Sequence, residues 1–153
     1  MTDKRKYRPQ QPLGHLGKAF QFSQDDLAAN RAGYMTLAQK FGLKFWERPL
    51  YLWALQLPPL KWLAGKNPKQ ARRITGKVRK HHHSRVVVFD SGGNGGGHQE
   101  VLEQYRIEID SGKGVETFYV RAKQYGALPD NLKVTLYYDA SEQRILSVEV
   151  PYD

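Results

Sequence analysis

The cluster Ser91-Gly92-Gly93-Asn94-Gly95-Gly96-Gly97 could offer backbone amides to a phosphate. No Gly-Lys-Ser/Thr ending follows to set a lysine on the phosphates and a hydroxyl on magnesium, and Asp110-Ser111-Gly112-Lys113-Gly114 lacks it too. Both read as loops. His81, His82 and His83, with His98, could gather a divalent metal, but consecutive histidines on a strand point to opposite faces, so at most two of the three converge. The tract reads as exposed, and no cofactor is expected. Glu100, Glu103, Glu108 and Glu116 fall on the solvent faces of predicted strands, without a base and an orienting partner in reach. With no cysteine, thiolate nucleophiles and finger-type zinc sites are excluded, and the composition fits a reducing compartment. The reading is non-enzymatic, with no small-molecule substrate evident.

Charge is more informative. Of the net +9, residues 1–85 carry +14 and residues 86–153 carry −5. A basic half beside an acidic half points to an anionic counterpart for the first. Arg72, Arg73, Lys77, Arg79, Lys80 and Arg85 form the densest stretch and are the candidate anion- or nucleic-acid-binding residues. Tyr105, Tyr119 or Tyr137 could supply stacking surfaces. The same cations suit anionic lipid, at about 1 kcal/mol each near a surface.

The second candidate surface is apolar. All three tryptophans lie between positions 46 and 62, and Leu50–Leu57 is apolar on every side of a helix. The uncharged run Pro49–Leu60 has 12 residues. As a helix it would cover roughly 18 Å against a hydrocarbon core of about 30 Å, so it does not span a bilayer. Trp46, Leu50, Trp53, Leu57, Lys61 and Trp62, with Lys44, Arg48 and Lys66 beside them, form the candidate membrane- or partner-docking set.

The elements that must position these residues follow from spacing. Residues 1–19 read as a flexible basic arm, with Pro9, Pro12, Gly14 and Gly17 interrupting any helical pattern and no apolar leader segment. Residues 20–64 read as the helical, aromatic-rich docking segment. Ser23 with Asp26 makes a capping box and Phe22 with Leu27 a hydrophobic staple, for a helix ending at Gly33. Thr36 with Gln39 starts a second helix, which runs on toward Trp46. Residues 65–73 are a basic connector, and residues 74–153 a small β domain. Ile74, Gly76 and Val78 begin its first strand, which Val86–Phe89 continues or restarts. Strands follow around Val101–Ile109, Glu116–Arg121, Leu132–Tyr138 and Arg144–Val150, with a helical turn at Lys123–Ala127. The predicted class is α+β: short N-terminal helices before a five-stranded antiparallel barrel or rolled sheet of SH3-like or OB-like shape.

Asp25–Gly33 with Thr36 and Gln39, and Val134–Tyr138 with Ile145–Glu149, carry a resemblance. They resemble uncharacterised bacterial membrane proteins in which a "DLAANRxG…[ST]xxQ" element precedes a hydrophobic helical hairpin and a cytoplasmic β domain ending "VYY…LSVE". The likeness covers residues 20–40 and 72–150 and implies no catalytic residues. It departs at the hairpin, for which residues 45–64 are too short. The resemblance implies a cytoplasmic protein, peripheral to the cytoplasmic membrane or to a larger assembly. Its partner is then a protein or an anionic membrane surface, with nucleic acid the competing partner.

Overall fold

The strand that organises the molecule, β1 (Arg72–Phe89), is uninterrupted for 18 residues. Its β-branched residues and its lack of proline permit that length. A computed structural model describes residues 11–44, 46–50, 69–89 and 97–151. In it β1 pairs antiparallel with β2 (His98–Asp110) along Lys77–Phe89 and with β4 (Lys133–Asp139) along Arg72–Lys77. β3 (Val115–Val120) pairs with β2, and β5 (Arg144–Glu149) with β4, giving the order β3-β2-β1-β4-β5.

The α+β class and the five antiparallel strands are those the sequence indicates. The barrel alternative is corrected, because β3 and β5 remain edges and the sheet is open. It is nevertheless curled. Phe118 of β3 and Tyr138 of β4 meet edge-on at 5.1 Å although two strands separate theirs in the sheet. The concave face collects Val78, Ile107, Ile109, Phe118, Val134, Leu136 and Val148, all 1% exposed or less.

Helix α1 (Gln11–Phe20) closes that concavity with Leu16 and Phe20. The flexible-arm expectation is thereby corrected for residues 11–19. Pro12 sits in the first turn, where its missing N–H removes no helical bond, and burying an i, i+4 pair outweighs the glycines. Gly17 lies at a close approach of backbone: a Cβ there would come 3.0 Å from the Phe22 carbonyl oxygen, and the Phe22 amide donates to the Gly17 carbonyl where the chain folds back. Gln21, at φ 58, makes the reversal.

Helix α2 (Gln24–Arg31) has the expected capping box, with the Ser23 amide donating to Asp26 Oδ2 at 2.8 Å and the Asp26 amide to Ser23 Oγ at 3.2 Å. Phe22 and Leu27 are both buried, and Gly33, at φ 92, ends the element. Helix α3 (Leu37–Lys40) has the Thr36–Gln39 box but stops after four residues, with Gly42 left-handed at φ 63. The predicted continuation toward Trp46 is therefore corrected. Helix α4 (Ala122–Ala127) follows β3 and packs on α1. Leu16 and Phe20 of α1, with Phe22 and Leu27 at α2, enter the same core as the strands.

Candidate docking surfaces

The motif residues come together in space, and their geometry is that of a clasp. Asn30, 1% exposed, uses its whole amide: Nδ2 donates to the Tyr34 carbonyl at 3.0 Å and to Gln39 Oε1 at 2.7 Å. Oδ1 accepts from Gln39 Nε2 at 3.0 Å and from Ser147 Oγ at 2.6 Å. Gln39 Nε2 also reaches the Leu146 carbonyl. Asp26 accepts from Thr36 Oγ1 at 2.5 Å and is paired with Arg48 at 2.6 Å. Arg31 forms an ion pair with Glu149, which accepts a hydrogen bond from the Tyr137 hydroxyl at 2.8 Å. Burial pushes the Glu149 carboxyl up, but the bonds from Arg31 and Tyr137 and the Arg31 and Arg73 charges outweigh it, and the pKa falls below the ordinary value. Burial and the Glu149 bond raise the Tyr137 phenol. The two segments that carry the resemblance are thus bound to each other. Their polar groups are saturated by one another, which is the chemistry of a structural joint.

Arg48 belongs to that joint. It also donates to the Gln21 carbonyl at 2.7 Å, so it does not flank the docking surface as a headgroup-facing cation. Its anchoring fixes the start of the aromatic segment, where Trp46 and Leu50 are each 72% exposed. Trp53, Leu57, Lys61 and Trp62 lie outside the described residues, as does the glycine cluster except Gly97. No helix among the described residues is long and apolar enough to cross a membrane.

The cationic stretch is not one strip. Strand alternation divides it: Arg73, Lys77, Arg79 and Arg85 lie on the convex face, Arg72 and Lys80 on the concave face. Lys80 is turned inward, with Nζ 3.0 Å from the Leu128 carbonyl and 4.3 Å over the Tyr125 ring. Arg79 pairs with Asp110 at 3.3 Å. His81 and Arg106 both approach Glu108, at 3.1 and 3.4 Å, so Glu108 is engaged rather than a bare surface charge. His82 stacks on Tyr105 at 4.6 Å, and the Tyr105 hydroxyl donates to Glu103 at 2.5 Å. Among the described residues no group of histidines and acids is placed to hold a metal. Of the tyrosines considered for stacking, Tyr119 is 66% exposed and Tyr137 is buried.

One surface had no counterpart in the sequence reading. Beyond His82 on β1 and below Tyr105 on β2, neither strand has an outer neighbour among the described residues, and the two continue as a ribbon to Phe89 and His98. Val86, Val88, Phe89, Val101 and Leu102 are each at least half exposed on it. Both faces of the ribbon are therefore apolar. A two-stranded pairing with exposed apolar faces is marginal by itself in water, so such a ribbon is suited to a covering segment. A cavity of about 550 Å³ also opens at the seam of the curled sheet, between β5 with α3 and the end of β3 with α4. Arg121 and Arg144 face it, with Glu142.

No family model, no curated protein and no solved structure matches this chain.

Proposed function

We propose that the chain is a non-enzymatic interaction module, peripheral to a membrane or to a larger assembly, which docks through the apolar segment that begins at Trp46. The observation that carries this reading is the exposure of Trp46 and Leu50, 72% each, on a backbone held to the core by the buried Arg48–Asp26 pair. Large apolar side chains presented from a fixed frame lose little freedom on docking. Burying both would contribute about 3 kcal/mol, on the order of a hundredfold in affinity.

Sedimentation with phosphatidylglycerol vesicles and cross-linking in native lysate test the two sources. Trp46→Ala with Leu50→Ala should cut the bound fraction at least tenfold in one of them. Identical behaviour of both proteins in both assays would refute the docking role.

A second reading, nucleic-acid binding, is favoured by one observation: Arg73, Lys77, Arg79 and Arg85 share a face with the exposed Tyr119. Asp110 and Glu108 neutralise part of that face, which ranks this reading second. Oligonucleotide binding whose salt dependence weakens on Arg73→Ala and Lys77→Ala would raise it.

A further inference from the structure

β4 accompanies β1 only to Lys77, and ladder bonding on that side ends at Val78, whose amide donates to the Leu132 carbonyl and whose carbonyl accepts from Asn131, both at 3.0 Å. Backbone N–H and C=O groups of an antiparallel strand alternate between its two neighbours. Since Val78 faces the β4 side, so do His82, Ser84, Val86 and Val88, while the odd-numbered residues face β2. Among the described residues, nothing pairs with those four positions on the side that β4 has left. The vacant lane along His82–Phe89 is about 26 Å long at ~3.3 Å per residue.

Natural edges of this kind are usually blunted by proline, bulges, several charged side chains, short length or a covering segment. Residues 82–89 have no proline and no register shift, Arg85 is their one lysine or arginine, and no segment among the described residues pairs along them on the side that β4 has left. The side chains beside the lane divide along its length. His82, His83 and Arg85 come first, then Val86, Val88 and Phe89, which are 58%, 61% and 50% exposed. β1 holds six lysines and arginines and no acid. Its acidic neighbours Glu100, Glu103, Glu108 and Asp110 all lie on β2, on the other side of β1 from the lane; Glu103 comes within 3.9 Å of His82, and none is paired with Arg85 among the described residues.

We propose that β1 residues 82–89 accept an extended segment of a partner protein by strand addition. The segment runs antiparallel to β1 in the lane that β4 vacates, with apolar residues beside Val86–Phe89 followed by acidic residues beside His82–Arg85. Main-chain hydrogen bonds to the four even-numbered residues supply affinity, and the charge of β1 selects the partner. This rests on the interaction-module reading above and names the partner's chemistry.

The probe is a fluorescein-labelled octapeptide, Val-Ile-Val-Ile-Glu-Thr-Glu-Thr, whose glutamates fall opposite Arg85 and His83 when its first residue lies beside Phe89, titrated with the whole chain by anisotropy at low salt. It should bind at least tenfold tighter than the same peptide with lysine in place of glutamate. Val86→Pro removes a donor that faces the lane and leaves the ladder to β2 intact, so it should abolish binding with little change in far-UV circular dichroism. If that variant does not fold, N-methylating alternate residues of the peptide makes the same test on the unaltered protein. Arg85→Glu should weaken the acidic peptide at least tenfold and strengthen the lysine peptide. Equal binding of both peptides, or full binding by Val86→Pro or by the N-methylated peptide, overturns the proposal. So does complete displacement by oligothymidylate with Val86→Pro unaffected, which would assign the strip to nucleic acid. The Trp46→Ala, Leu50→Ala protein should bind the peptide normally. No peptide binding by a wild-type protein that still docks through Trp46 sinks the lane alone, whereas loss of both sinks the module reading as well.

Discussion

Replacing Asn30 with alanine removes the centre of the clasp, and the cost can be worked from its four bonds. All four of its partners are protein groups, and two of the side chains, Gln39 and Ser147, are 5% and 0% exposed. A buried hydrogen bond contributes about 1 kcal/mol net, and a buried group left without a partner costs about 1–3 kcal/mol. Gln39 retains the Leu146 carbonyl and the Thr36 amide, so Ser147 and the Tyr34 carbonyl bear most of the loss. Asn30→Ala should therefore destabilise by about 3–4 kcal/mol, and Ser147→Ala by about 1 kcal/mol. The double variant should cost about 1 kcal/mol less than the sum, because without the Ser147 hydroxyl there is no orphan to desolvate. Urea unfolding followed by circular dichroism, with the slopes compared to confirm a common denatured state, measures all three. Additive costs, or a loss below about 1 kcal/mol for Asn30→Ala, would show that the two motif segments are not energetically joined, and would refute the structural account of the motif.

Two further outcomes are expected. Gly76→Ala would bring a Cβ to 2.2 Å from the Asp110 carbonyl oxygen and 2.5 Å from its carbon, a clash with backbone where β1 crosses the end of β2. A loss of about 3 kcal/mol or more should appear in the same urea assay. Stability should also fall in acid. The Asp139 carboxyl, like that of Glu149, is pushed up by burial and then held below its ordinary value, in its case by two bonds from Ser141 and by Lys69 and Arg144. Groups with lowered folded pKa values give stability that is fully present above their unfolded values, near pH 4, and lost as pH falls through the folded ones. Unfolding midpoints measured from pH 6 to pH 2 should drop in that window, and Tyr137→Phe should reduce the drop by removing one bond that favours ionised Glu149.

The helix starts were legible because a capping box is local: Ser23 with Asp26 and Thr36 with Gln39 need only three residues of spacing. The strands were legible because alternation survives where one face is buried, as where buried Val134 and Leu136 alternate with exposed Lys133 and half-buried Thr135. Strand parity was only partly so. Had β1 restarted at Val86, the faces before and after the break would be unrelated. The uninterrupted pairing is what fixes Arg73, Lys77, Arg79 and Arg85 on one face and turns Lys80 away.

What the sequence determined by itself was therefore what short spacing encodes: the caps, the alternating strands, the open or closed antiparallel class and the charge asymmetry. Tertiary structure decided the rest. It made α1 a helix despite its glycines, because Leu16 and Phe20 had a core to enter. It joined Asn30 to Ser147 across 117 residues of chain and Arg31 to Glu149 across 118. It also left β1 longer than β4, and so opened an edge that no local pattern announces. Propensity acts over a turn or a strand, whereas burial and the satisfaction of polar groups depend on which distant segments arrive together.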